Sequence, residues 1–395
     1  RLYLSTIIDE LSTWGVSMVA PVATIATRSP TDAMYEFYTG YTRSLASLDP
    51  IGILTSLIFR CQDCVDYLSD EGPEPCEVAT ISDRLRDRDD SSRTVFTQLG
   101  GLTTSFDATS ISADDLDLPT SGDLIDLRPT SPCTQDMFWD PNTVLGAASN
   151  ATVRNTYRES LIGFIRGDEL SRRCDRPFGA VEHGEPVAVG APGLNISAYG
   201  YGLFKIEDDA NPGERAVKGR PTMLYAHTHA GVVHGFRVDR PTSLAEADYD
   251  EELWAYVPGM LLPRLQEVPF TFDFLLDGHM VVRDIPIKRE LDMSDDEVAE
   301  QWKTVLVGTC GSGCRGIYAL DVTEPNDPQF MWEITPGQRC YNNPEELNGC
   351  VATNEYDRLG YTISKPDLGV VFSSNYLGSI EAQERGVVIV GGGDD

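Results

Sequence analysis

Three histidines, His227, His229 and His234, fall close together in a chain of 395 residues that has only five. His227 and His229 stand two apart at a predicted strand end, which places both rings on one face. Such a pair could supply two of the three protein ligands that a catalytic zinc needs beside its water. No Asp or Glu stands at an obvious partnering distance, however. We therefore read the turn as one lined by imidazoles that hydrogen-bond to backbone. No GxSxG, HExxH, phosphate-binding or dinucleotide-binding signature occurs, and Gly391–Gly393 reads as a turn after a strand. The residues point to no catalytic group and no metal ligand set.

Nine cysteines are a second candidate chemistry. Cys61 and Cys64 lie near Cys76, Cys310 and Cys314 bracket a Gly-Ser-Gly turn, and Cys340 and Cys350 bracket an Asn/Pro/Glu-rich loop; Cys133 and Cys174 remain. Short loops stapled in irregular regions suit an oxidising compartment. The rival is zinc held by Cys61, Cys64 and Cys76 with a fourth ligand. No second CxxC stands at a usual spacing, so disulfides are the favoured reading, with one thiol left over. Arg166-Gly167-Asp168 is a third candidate. A guanidinium and a carboxylate flank a flexible glycine just after a predicted helix, a pattern open to recognition by a cell-adhesion receptor.

These residues hang on a repeated strand grammar. Lys303–Gly308, a Gly- and Cys-punctuated turn, Gly316–Val322, an acidic turn after Asp321 and a strand with Trp332 follow one another. Thr222–Ala226, the turn His227–Gly231, Val232–Asp239 and Glu252–Pro258 run in the same order. Each unit has a preceding strand, Glu185–Gly190 and His279–Pro286. A third unit opens with Gly360–Val371 and Gly386–Gly391. An Asp at a strand end followed by a Trp is the kind of mark carried by propeller blades. The units recur about every 80 residues, against roughly 40–50 for simple propeller repeats, so large loops must decorate them. The fold class expected is all-β: a β-propeller, incomplete in this chain, with a mixed and partly irregular amino-terminal region.

Upstream, Arg1–Trp14 has helical spacing, Ser17–Ile25 and Tyr35–Tyr41 read as extended, and Ile51–Arg60 as a strand or short helix. Residues 71–153 form an acidic Ser/Thr/Asp/Pro-rich excursion expected to bury little apolar surface and to have little regular structure. Asn155–Arg166 returns to helical periodicity, and Asp292–Gln301 reads as a short exposed acidic helix. The division expected is 1–70, helix and strands entering the propeller; 71–153, the excursion; 154–177, helix and RGD linker; and 178–395, blades, the third truncated. A net charge of −31 excludes nucleic acid and an anionic membrane surface as partners. No run approaches a membrane span. The chain opens on Arg1 with no signal-peptide pattern, as expected of a processed or partial chain.

Three pieces carry a family resemblance: LYAHTHAGVVHGFRVD with ELWAYVPGMLLPRL, WKTVLVGTCGSGCRGIYALDVTEP with FMWEI, and LGYTISKPDLG with VVIVGGG. They resemble the C-terminal β-propeller region of the PilY family, type IV pilus tip adhesin and biogenesis proteins. Weaker similarity covers Ala20–Ile25, Met34–Gly40, Met137–Asp140 and Leu161–Asp168. The resemblance implies a non-enzymatic, extracellular protein at the pilus tip or cell surface. It would have minor pilins as partners, and surface or host receptors as further ones. Two departures stand out. His229 and Ala230 replace the family's usual Asn-Asp before the turn glycine, and the family's calcium loop would fall beyond the third unit. Calcium is thus implied only for that downstream loop, and no cofactor for this chain. The alternative is a quinoprotein dehydrogenase propeller, whose Ala-x-Asp…Trp docking pattern is matched by Ala319-Leu320-Asp321 and Trp332.

Overall fold

The computed structural model describes residues 17–18, 23–25, 34–42, 51–59, 77–86, 93–128, 142–168, 177–193, 200–205, 220–238, 250–271, 273–290, 292–343, 347–373 and 383–393. The expected helix Arg1–Trp14 lies outside them. Short strands β1 (Ser17–Met18) and β2 (Ala23–Ile25) both pair with β3 (Met34–Thr42), which pairs in turn with β4 (Ile51–Phe59) and then β5 (Glu77–Thr80). The extended reading of 17–25 thus divides in two, and 51–59 is a strand. Helix α1 (Ile81–Arg86) buries Ile81 and Leu85, one turn apart. With Phe37 and Leu54 they pack on Phe178, Leu224 and Phe236, which fixes this sheet against the first blade.

The chain continues through β6 (Val95–Leu99), β7 (Leu102–Ser105), β8 (Asp123–Ile125), β9 (Val144–Ala147), helix α2 (Ala151–Arg166), β10 (Val187–Val189), helix α3 (Tyr201–Lys205), β11 (Met223–His227), β12 (Val233–Arg237) and β13 (Glu251–Val257). Strands β10 to β13 are the first blade, an antiparallel meander. Hairpin β6–β7 extends its outer edge, with β6 parallel to β13. A 3-10 helix (Gly259–Glu267) leads to β14 (Met280–Pro286), β15 (Lys288–Glu290), helix α4 (Asp295–Gln301), β16 (Trp302–Thr309), β17 (Ile317–Asp321), β18 (Gln329–Thr335), β19 (Gln338–Asn343) and β20 (Leu347–Ala352). The second blade is β14-β16-β17-β18, and its outer edge also carries a hairpin, β19–β20. Strands β21 (Asp367–Ser373) and β22 (Gln383–Ile389) begin a third sheet, in which β22 also pairs with β15. No sheet closes on itself among the described residues, as expected of an incomplete propeller.

The two blades match in detail. Gly235 faces Trp254 and Ala319 faces Trp332, and in each a one-residue bulge follows, at Leu253 and Met331. The indole leaves no room opposite, since a Cβ on Gly235 would lie 2.7 Å from the Trp254 ring. Trp254 Nε1 donates to Pro325 O at 2.8 Å, in the acidic turn that follows Asp321. This indole therefore crosses from its own blade to the next. Helix α4 begins at a capping box in which Ser294 and Glu297 satisfy each other's backbone; it buries Ala299, and Val298 packs with Trp302, Tyr201 and Phe204.

The acidic stretch corrects an expectation. Within 93–128, Phe106, Ile111, Leu116, Leu118, Leu124 and Leu127 are buried in the main core beneath α2, with Tyr157, Leu161 and Ile165 of that helix. Its carboxylates build the turns that hide these side chains. Asp107 Oδ1 accepts from the amides of Thr109 and Ser110, and Asp115 Oδ2 from Ser112 N and Oγ. Composition averaged over the stretch conceals apolar residues spaced between turn formers.

The two outer hairpins abut. Gly101 has φ +88°, and a Cβ there would lie 2.6 Å from Tyr341 O and Gly349 N. Gly101→Ala is therefore expected to lower stability by about 1–3 kcal/mol, measured by urea unfolding, because it meets backbone rather than a movable side chain. Gly100→Ala in the same turn, where the added Cβ meets nothing within 4 Å, isolates the backbone cost.

Candidate functional site

Strand β11 delivers His227 into a tight turn in which Gly231 N donates to Thr228 O and Thr228 N to Val232 O. His229 N donates to Ala180 O, and its Nδ1 accepts from Ala180 N at 2.9 Å; its carbonyl accepts from Leu275 N. His227 Nε2 donates to Gly278 O at 3.0 Å. The turn thus clasps the segment entering the first blade, 178–184, and the connector to the second, 273–279. The corresponding turn of the second blade does the same. Cys310 O accepts from Asp277 N, and Cys310 N donates to Thr362 Oγ1 at 3.1 Å. Gly184 lies against His227 and Gly278 against Thr309, each so closely that a Cβ would come within 2.3 Å of a side-chain atom.

The three histidine rings therefore part company. His227 and His229 serve connectors, while His234 Nδ1 on β12 hydrogen-bonds Glu252 Oε1 at 2.7 Å. Among the described residues no group of three or more His, Cys, Asp or Glu side chains is arranged to hold a metal ion. Burial pushes His227 down to about 4, so its ring is neutral at physiological pH.

At the same junction Asp277 gathers His183 Nδ1 at 2.8 Å, His183 N at 3.2 Å and Ser312 Oγ at 2.7 Å. The residue types are those of a hydrolase triad, but their order is wrong. A triad places the imidazole between nucleophile and acid so that it can take the hydroxyl proton. Here the carboxylate lies between them and accepts from both, which ties a connector to a turn and activates nothing. A cleft of about 360 Å³ between β4 and α1 includes Asp83 and Arg86, which pair with each other at 2.8 Å.

The RGD tripeptide ends helix α2. Gly167 is its left-handed cap, φ 75°, donating to Gly163 O and Phe164 O, and a Cβ there would lie 2.6 Å from Pro177. Arg166 donates to Phe106 O and Arg93 O and stands 3.4 Å from Asp168. Its side chain is 15% exposed, against 38% for Asp168. Arg93 in turn donates to Arg166 O and grips Glu252 with two nitrogens, Nε at 2.6 Å and Nη2 at 2.9 Å. Burial would raise the Glu252 carboxyl, but Arg93 and His234 outweigh it and hold it well below the usual carboxylate range.

A second buried carboxylate joins the blades. Glu333 on β18 accepts from Gly259 N at 2.7 Å and Tyr256 Oη at 3.2 Å on Oε1, and from Met260 N and Gln98 Nε2, both at 3.0 Å, on Oε2. Every donor belongs to the first blade, its outer hairpin or the 3-10 helix.

Disulfides join Cys310 to Cys314 and Cys340 to Cys350. Cys61, Cys64, Cys76, Cys133 and Cys174 lie outside the described residues. Sequence reasoning missed Glu252, Glu333 and Arg93. The available signal was a carboxylate at an inward position of an apolar strand, in EELWAYV and FMWEI.

The profile of the PilY1 beta-propeller domain matches residues 187–395, just over half of the chain. This chain belongs to the PilY1 β-propeller family. It is 28% identical over 226 residues to the type IV pilus biogenesis factor PilY1 of Pseudomonas aeruginosa strain UCBPP-PA14, covering 54% of this chain and 16% of that protein. A PilY1 homolog of Xylella fastidiosa strain Temecula1 is 26% identical over 224 residues, covering 52% and 15%. The chain thus spans about a sixth of the length of these relatives. A crystal structure of the P. aeruginosa PilY1 C-terminal domain overlaps 52% of this chain and 31% of its own, at 23% identity and a TM-score of 0.30. These relatives are named type IV pilus biogenesis factors. No helix among the described residues is long and apolar enough to cross a membrane.

For this PilY1-family chain, Arg93→Ala is expected to cost roughly 3–5 kcal/mol in urea unfolding, because it strands the Glu252 charge in the core. Arg93→Ala with Glu252→Gln should recover part of that loss. Acid should also weaken the fold. His227 titrates at about 4 when folded against an ordinary 6.5, so the unfolded chain takes up the proton first and stability falls as pH drops through that window. His227→Gln is expected to remove up to about 3 kcal/mol of this pH dependence, read from unfolding midpoints at several pH values.

Proposed function

We propose that this chain is the blade-bearing part of a non-enzymatic protein at the tip of a type IV pilus, where it supports pilus assembly and surface attachment. The observation that carries this reading is the family match over 187–395, which coincides with the paired four-stranded blades and the start of a third sheet. We take residues 178–395 together with hairpin β6–β7 as the blade unit, with the remaining amino-terminal residues as its support. An extracellular setting is supported by the two disulfides, one stapling a tight turn and the other a hairpin. Minor pilins are the proposed partners, and calcium is assigned to the loop expected beyond the third unit.

Arg166-Gly167-Asp168 remains the adhesive candidate, with Asp168 as its accessible charge and Arg166 as its anchor in the fold. Deleting the full-length gene in the source cells is expected to reduce sheared surface pilin at least tenfold, and re-expression to restore it. Normal piliation in the deletion strain overturns the assembly role. Asp168→Asn, which leaves Arg166 in place, should restore pili but not attachment; full attachment by this variant removes the tripeptide from the account.

A further inference from the structure

Glu333 stands apart from the other buried charges described above. Glu252 has Arg93, whereas no cation among the described residues pairs with Glu333, which is 2% exposed. Its four donors are two backbone amides, one carboxamide and one phenol. Three of these can only donate. The fourth, the Tyr256 hydroxyl on Oε1, can turn and accept. The titratable groups facing the carboxyl from the packed elements are Tyr256 on β13 and Tyr318 on β17, both fully buried. The Tyr318 hydroxyl has no hydrogen-bond partner among the described residues. From β19 the facing residue is Cys340, held in a disulfide. From the 3-10 helix, Arg264 is committed to Glu267 and Gly313 O. Gln98 also accepts from Gly101 N, so the carboxyl is linked to the tip of the outer hairpin.

We propose that Glu333 is a proton-operated joint between the first and second blades: its carboxylate takes a proton from solvent on Oε1 and donates it in a hydrogen bond to Tyr256 Oη, which turns from donor to acceptor. Burial drives the carboxyl up, against the hydrogen bonds from Gln98, Gly259 and Met260, to about 7. Because the folded value is raised above the ordinary 4.5, the joint is tightest below that pH and loosens as pH rises through about 7. Above it, an uncompensated charge sits in the seam. This runs opposite to the acid sensitivity of His227 and Glu252, so the two effects separate by sign.

Hydrogen exchange of the full chain, corrected for intrinsic rates, tests this in peptides covering 95–103, 254–262 and 329–335. Between about pH 5 and pH 8 seam opening is expected to rise on the order of a hundredfold in the wild type, and not in Glu333→Gln. An equal rise in the variant overturns the proposal. Should the variant not fold, infrared difference spectra of the wild type decide. A buried protonated carboxyl that ionises near neutral pH, with a simultaneous tyrosine band shift, supports the joint. A seam carboxyl already ionised at pH 5 overturns it.

Discussion

The bidentate pair between Arg93 and Glu252 is the interaction on which most of this structure depends. Glu252 lies in the first blade beside its bulge, and Arg93 precedes the hairpin that runs parallel to that blade's last strand. Closing the pair brings together segments more than 150 residues apart in sequence. It also places the Arg93 carbonyl where Arg166 can reach it, and so fixes the end of helix α2. His234 completes the set and stacks on Phe236 at 5.8 Å. A buried charge pair of this kind adds modest net stability, but removing either partner is costly, so it selects one arrangement over others.

From that point the blades are joined by repetition. The turn between the second and third strands of each blade clasps the connector that enters and the connector that leaves. The chain crosses from blade to blade through 273–279, and both turns hold that stretch. Trp254 and Glu333 add contacts in opposite directions, one from the first blade to the acidic turn of the second, the other from the second blade back to the first. The outer hairpins close the far side where Gly101 meets Gly349. A member of a family whose curated relatives are named pilus biogenesis factors thus has a body held by backbone clasps and buried polar links.

The blades were legible because alternating apolar strands, turn glycines and a Trp recur in order, and the family resemblance rests on those same strands. The cysteine pairs that bracket short turns were legible for the same local reason. Hairpin β6–β7 was not, since its partner strand lies far downstream and parallel pairing leaves no short-range mark. The fate of the acidic stretch was hidden because Leu116, Leu118, Leu124 and Leu127 are diluted by the Asp, Ser and Thr that turn the chain around them. The histidine turn was legible in residue type but not in partner. Nothing local says that His229 accepts from Ala180 while His234 faces Glu252. Arg166 read as an exposed recognition group because charged residues at helix ends usually are; its carbonyl partners come from a segment that sequence reasoning had left unpacked.

The central claim is that 93–128, helix α2 and the two blades form one cooperative body around the Arg93–Glu252 pair. Equilibrium urea unfolding followed by tryptophan emission and by a fluorophore carried at exposed Thr120 through an unnatural amino acid tests it most directly. Coincident transitions from the two probes are predicted. A separate transition at lower urea for the Thr120 probe, with the tryptophan signal unchanged, would contradict it.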